Sequence, residues 1–271
     1  MRPAQPHSGE STRRLRLVAR GFAAPLAHRL RRGEGGLLLV NASLAWKEYP
    51  RRGAISLAAI STLTLLALYL FNDIIDAPQD QQNPKKDREL ADMYVGARGV
   101  FLTGWLLLST VALVAATWLD ARAGLGVGAV ALINVAYSLF CKKVPMLDLV
   151  WVSLWGAAYA SIVTGTVVWI VMVGTMTAVC HIYQASEDRD ADATNGVATS
   201  ATLTAPLLST VQAALAAVLM AAAWMLGAAV VALTFAGFFA YWRIWCDRPR
   251  IGWFLTKAHF SVAWAYLLVR G

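Results

Sequence analysis

Apolar residues in this chain follow neither the alternation of a half-buried strand nor the narrow stripe of a soluble amphipathic helix. From residue 53 onward they form long runs broken by short polar stretches. A helix rises about 1.5 Å per residue, so about 20 apolar residues cross a hydrocarbon core of about 30 Å. With no water to satisfy backbone N–H and C=O groups there, each run has to be helical. The pattern predicts eight crossings, at 53–72, 98–118, 123–141, 147–164, 165–183, 203–225, 226–245 and 252–269. A further run at about 35–47 is short for a full crossing. The predicted fold class is all-α, a polytopic transmembrane helix bundle of about nine spans.

Composition agrees, with 58% hydrophobic and 15% charged residues against about 25% charged in an average soluble domain. Charge placement then orients the chain. Residues 1–34 hold eight Arg and two Glu and supply six of the eight net positive charges. This divides the chain into a basic, lipid-facing cytoplasmic tail (1–34) and a membrane-embedded domain (35–271). If 35–47 crosses, the tail shares one face with Lys85, Lys86, Arg88, Lys142, Lys143, Arg189, Arg243, Arg248 and Arg250. By the positive-inside rule that face is the cytoplasm, most simply of a bacterial plasma membrane. Arg51 and Arg52 are the exception to this nine-span reading, which is nevertheless favoured. The tail lacks the interleaved aromatics of a nucleic-acid surface, so nucleic acid is not expected as a partner. Membrane lipid is expected as one, and nothing points to an obligate protein partner. Cys141, Cys180 and Cys246 have no metal or disulfide spacing and read as small core residues.

The long connections, 73–96 and 184–202, lie on the cytoplasmic side, and both are acidic. The first reads Asn72-Asp73-Ile74-Ile75-Asp76-Ala77-Pro78-Gln79-Asp80. Asn72, Asp76 and Asp80 are four apart, so a helix continuing past the membrane boundary stacks them on one face, although Pro78 can end it at Ala77. Carboxylates that close repel unless a cation lies between them. Hard oxygen donors beside a phosphate-bearing substrate suit Mg²⁺, and Lys85, Lys86 and Arg88 offer phosphate contacts. The second cluster, Glu187-Asp188-Arg189-Asp190-Ala191-Asp192, repeats the spacing at Asp188 and Asp192, with Arg189 as a diphosphate partner. Either cluster alone could be a solvated helix end. Two on one membrane face, each ending an apolar helix, point to function and to two related halves around one cavity.

These residues resemble the signatures of the UbiA superfamily of intramembrane prenyltransferases. Asn72-Asp73-x-x-Asp76-x-x-x-Asp80 with Pro84-Lys85-Lys86-x-Arg88 is similar to the first, and Asp188-Arg189-Asp190-Ala191-Asp192-x-x-x-Gly196 to the second. Tyr137-Ser138-x-x-x-Lys142-Lys143-x-Pro145-x-Leu147-Asp148 is similar to the loop after that family's fourth helix. The resemblance implies a nine-helix bundle with a central cavity and a Mg²⁺-bound isoprenyl diphosphate. Asn72, Asp76, Asp188 and Asp192 would carry the metal, with Asp73 and Asp80 close by. Lys86, Arg88, Lys142 and Lys143 would contact the diphosphate, and Tyr137 would face the allylic carbon. Three departures stand out. Glu89-Leu90-Ala91-Asp92 replaces a usual Pro and Leu-Ala-x-Gly run, His181 falls where the second signature often has an Asp, and the usual basic and aromatic elements before the first span are not recognisable.

The implied activity is Mg²⁺-dependent transfer of an isoprenyl group from a prenyl diphosphate to an acceptor, with an aromatic quinone precursor favoured. Aromatic faces, Tyr137 and Tyr183 among them, would stabilise the allylic cation. The runner-up is a terpene cyclase, in which a double bond of the same substrate is the nucleophile. A multi-span transporter is the remote alternative, since its acids belong near the bilayer midplane. His181, the one histidine near the site, reads as a packing residue.

Overall fold

The computed structural model describes residues 8–32, 35–83, 86–194, 198–245 and 248–270; within these, the side chains of 8–15, 17, 188, 190–194, 205 and 240–245 are outside the description. Among the described residues the chain is all-helical, with eleven α-helices and no strand. They are α1 (Ser8–Arg31), α2 (Gly36–Glu48), α3 (Arg51–Asp80), α4 (Arg88–Gly96), α5 (Arg98–Leu119), α6 (Ala121–Ala136), α7 (Leu147–Ser161), α8 (Val167–Thr194), α9 (Ala205–Met225), α10 (Ala229–Trp245) and α11 (Pro249–Arg270). Every apolar run expected to cross is a helix. Among the described residues, five segments are long and apolar enough to span a membrane by themselves: α3, α5, α6 with the turn that follows it, α8 and α9. This is an integral membrane helix bundle.

Two helices are longer than the hydrocarbon they cross. α3 has 30 residues and α8 has 28, or about 45 and 42 Å at 1.5 Å per residue, against a core of about 30 Å. The excess turns carry Asn72–Asp80 on α3 and 184–194 on α8, so both acidic clusters rise from the bilayer on rigid supports. The helix does not stop at Ala77. α3 runs through Pro78 to Asp80, because near a helix end the ring removes only one backbone bond.

Small residues and buried polar ties hold the bundle together. A Cβ on Gly156 of α7 would lie 2.3 Å from Thr177 Oγ1, and one on Gly174 of α8 would lie 2.7 Å from the Ser153 carbonyl oxygen. Only glycine permits this approach of α7 and α8. Between the faces, Asn41 Nδ2 donates to the Tyr159 carbonyl at 2.8 Å and to Ser61 Oγ at 3.1 Å. The Tyr159 hydroxyl donates to the Ser61 carbonyl at 3.1 Å. Three helices are thereby fixed where an unpaired polar group would be costly. On one face of the bundle, Tyr49 donates to Asp120 at 2.9 Å, Arg122 donates to Tyr49, and Thr164 donates to Glu48. The end of α2 therefore meets the α5–α6 and α7–α8 connections.

The described part of the basic tail packs against the bundle. It is α1, which lays Gly21, Ala24 and Pro25 against the end of α3 and against α4. The Tyr94 hydroxyl donates to the Gly21 carbonyl at 2.6 Å, and Phe22 packs on Phe101 with centroids 5.1 Å apart. Apolar residues at a helical period among the arginines produce this face. The departure at Glu89-Leu90-Ala91-Asp92 also has a structural outcome. Asp87 caps α4 by accepting from Leu90 N–H at 3.1 Å, and Leu90, Ala91 and Tyr94 are buried.

Candidate active site

A cavity of about 840 Å³ opens at the end of the bundle that carries the acidic clusters. Asn72, Asp76 and Asp80 line one wall from successive turns of α3, as the four-residue spacing requires. Asn72 Oδ1 accepts from Ser138 Oγ at 2.5 Å, Asp76 Oδ2 accepts from Lys142 Nζ at 2.5 Å, and Lys86 Nζ lies 3.8 Å from Asp80. Deeper, the lining turns aromatic and apolar, with Tyr69, Tyr137, Trp155, Phe260 and Trp264. The buried indole Nε1 of Trp155 has no acceptor among the described residues.

The facing lysines owe their place to a local irregularity. α6 continues into a π-helical turn, Tyr137–Cys141, closed by the Lys142 N–H donating to the Tyr137 carbonyl at 2.9 Å. The extra residue of such a turn displaces the chain from the α-helical register, a device common at functional sites. Lys142 and Lys143 then line the cavity opposite α3. Met146 follows with φ 70°, a left-handed conformation rare for a non-glycine residue. Burial disfavours the Lys142 ammonium, but the adjacent Asp76 carboxylate outweighs it, so the pKa is raised and the side chain stays charged.

Not every residue singled out from sequence reaches the cavity. Asn72, Asp76, Asp80, Lys86, Tyr137, Lys142 and Lys143 line it together. Asp73 instead turns to Arg29, with a 3.1 Å ion pair, and that guanidinium lies 4.6 Å over the Tyr69 ring. Arg88 begins α4 and is exposed outside the lining, as is Arg189. Tyr183 packs under Gly252 rather than against the cavity. Lys85 is outside the described residues, and the side chains of Asp188 and Asp192 are too, although both positions fall on the last turns of α8. Among the described residues no three acidic, histidine or cysteine side chains converge on a metal position.

The cavity also contains groups that spacing did not reveal. Arg29 and Arg32 enter it from α1 and its end, and Lys257 from α11. Lys257 Nζ donates to the Arg32 carbonyl at 2.9 Å and lies 4.1 Å over Trp253. Glu187 accepts from Arg250 at 2.7 Å and lies 3.7 Å from Arg32, joining the ends of α1, α8 and α11. The arginine density of residues 1–34 was the available signal. Periodicity, not charge, places it. Asp148, at the start of α7, is fully buried. It accepts from Ser200 N–H at 2.9 Å and Ser200 Oγ at 2.5 Å, and lies 3.4 Å from His181 Nε2.

Fold and site together define a helical membrane protein with an acid- and lysine-lined cavity at one membrane face and an aromatic interior. The chain belongs to the UbiA prenyltransferase family, whose profile matches residues 36–268. Its fold is shared by a UbiA homolog from Archaeoglobus fulgidus. In the structure bound to DMAPP and Mg²⁺, identity is 14% and the TM-score 0.61, over 84% of this chain and 94% of the other. In the structure bound to GPP and Mg²⁺ the values are 14% and 0.62, over 89% and 98%. A digeranylgeranylglyceryl phosphate synthase structure aligns at 13% identity and TM-score 0.68, over 95% of this chain and 98% of that one. No curated protein matches the chain in sequence.

Proposed function

We propose that this protein transfers an isoprenyl group from a prenyl diphosphate to a small acceptor in the membrane, with Mg²⁺ as cofactor and an aromatic quinone precursor as the favoured acceptor. The observation that carries this reading is the division of a single cavity. Its mouth combines Asn72, Asp76 and Asp80 with Lys86, Lys142 and Lys143, while its interior is aromatic and apolar. A diphosphate requires the first and an isoprenyl chain the second.

The donor set fits the metal. Asn72, Asp76 and Asp80 offer only hard oxygen atoms on one helix face, which suits Mg²⁺, a cation that prefers few protein ligands and shares its shell with phosphate. Asp188 and Asp192 would complete the site from α8. Bound there, Mg²⁺ supplies positive charge against the diphosphate leaving group. The protein's own groups do the remainder. Lys142, Lys143 and Lys86 take diphosphate oxygens, Lys142 also holding Asp76 in place. Tyr137 and the rings near it face the carbon that becomes cationic, and electron-rich faces stabilise a cation without trapping it. A dry interior keeps water from competing with the acceptor.

The acids lie at the membrane surface among lysines rather than at midplane, which favours diphosphate chemistry over transport. The basic loops around the cavity mouth favour a cytoplasmic-facing site by the positive-inside rule. The test is to incubate purified protein with geranyl, farnesyl and geranylgeranyl diphosphates, with and without Mg²⁺ and an acceptor panel, following pyrophosphate and products by mass spectrometry. Mg²⁺-dependent release coupled to a prenylated acceptor is the expected result. A terpene hydrocarbon or alcohol formed without acceptor would assign a cyclase instead. No release with any donor would overturn diphosphate chemistry.

A further inference from the structure

His181 faces the cavity and has no part in the chemistry above. It stands seven residues before Asp188 on α8, a rise of about 10 Å toward the bilayer, and so lies below the diphosphate position. It shares the cavity with Thr177 and Gln184, and its ring meets Tyr137 edge-on with centroids 6.2 Å apart. On its other side is Asp148, the fully buried carboxylate at the start of α7. Ser200 donates two bonds to Asp148, and His181 Nε2 lies 3.4 Å from its Oδ2. An ionised carboxylate can only accept. In the neutral imidazole Nε2 therefore carries the ring hydrogen, and Nδ1 keeps its lone pair.

A carboxylate fixed by other donors, holding an imidazole that borders a substrate cavity, is the arrangement by which an enzyme orients a base. Among the described residues, the carboxylates that line the cavity are engaged, Asp76 with Lys142 and Asp80 beside Lys86. Imidazole is the side chain whose ordinary titration range lets it take up a proton near neutrality.

We propose that His181, oriented by Asp148, is the proton acceptor of the transfer. The acceptor's nucleophilic atom bonds to C1 of the isoprenyl chain. The C1–O bond to diphosphate breaks with its electron pair on the leaving group, and the hydrogen displaced from that nucleophilic atom passes as a proton to His181 Nδ1. The acceptor therefore carries a replaceable hydrogen on an electron-rich carbon or an oxygen. This assignment rests on the transferase reading. His181 would be a catalytic residue and Asp148 a positioning residue.

The test compares the wild type with His181→Gln, His181→Asn and Asp148→Asn, each confirmed monodisperse in detergent, measuring pyrophosphate release and prenylated product from the same reactions. Removal of a general base costs about 100- to 10,000-fold, so both His181 variants should lose a factor in that range in product. They should lose far less in pyrophosphate release, the uncoupled turnovers appearing as prenyl alcohol. Asp148→Asn, which disturbs the tautomer, should fall between them and wild type, and added imidazole should restore product in His181→Asn without raising pyrophosphate release. Product and pyrophosphate falling in proportion would mark a packing role and overturn the assignment, as would unchanged product. A wild type inactive with every donor would remove the transferase reading as well, so the two failures are distinguishable.

Discussion

Replacing Lys142 with Met separates charge from shape at the mouth of the cavity. The side chain keeps its length and apolar stem but loses the ammonium that donates to Asp76 at 2.5 Å. A hydrogen bond between charged partners contributes about 1.5–3 kcal/mol, and each 1.36 kcal/mol in a barrier is tenfold in rate. On the reading that Lys142 both orients Asp76 and contacts the diphosphate, kcat/KM for the prenyl diphosphate falls by about 10- to 150-fold, with part of the loss as a raised donor KM. Lys142→Arg retains charge at a different reach and should lie between. The assay is initial-rate pyrophosphate release in nanodiscs across donor concentrations, beside a thermal scan. Because Asp76 remains partly exposed to the cavity, the melting temperature should change little. A Met variant within twofold of wild type at every donor concentration would refute the role given to Lys142.

Other consequences follow from the packing. Gly156→Val places a side chain where even a Cβ lies 2.3 Å from Thr177 Oγ1; overpacking of this kind costs about 1–3 kcal/mol, seen as a lower melting temperature in the same detergent. Asn41→Leu removes the tie between α2, α3 and α7 and should cost about 0.6–2 kcal/mol, measured against Ser61→Ala in a double-mutant cycle. Asp120 is pushed up by burial but held below the usual carboxylate range by its hydrogen bonds from Tyr49 and the Arg122 N–H. A depressed folded pKa contributes stability above the unfolded value of about 3.9 that disappears as pH falls through the folded one. Melting scans from pH 6 into the acid range should show this loss in wild type and not in Asp120→Asn. Arg29→Ala releases Asp73 and one anchor of α1, so hydrogen exchange in residues 16–31 should rise.

The bundle was legible in the sequence because lipid imposes a simple rule. A run of about 20 apolar residues has few alternatives to a helix, and each predicted run is one. The geometry of the first acidic cluster was legible too, since four-residue spacing on α3 fixes which side Asn72, Asp76 and Asp80 share. What charge counting missed was shape. The arginines of residues 1–34 read as a lipid-facing tail, and charge alone does not show that Gly21, Ala24 and Pro25 give α1 a buried face that brings Arg29 to Asp73. Arg88 matched a motif, but Asp87 caps a helix at that point and sends it outward. Tyr183 was chosen for its ring, and the small Gly252 draws that ring into packing. Asp148 and His181 are 33 positions apart, on neighbouring helices, and only the close α7–α8 contact at Gly156 and Gly174 brings them together.

The proposed function has acids on α3 and α8 jointly hold a Mg²⁺-bound prenyl diphosphate. Its most direct test is Mg²⁺-dependent pyrophosphate release by Asp76→Asn and Asp188→Asn beside the wild type, each variant confirmed folded by its melting curve. Either substitution should abolish release while the melting temperature stays near that of the wild type. Release at wild-type rates in either variant would contradict it.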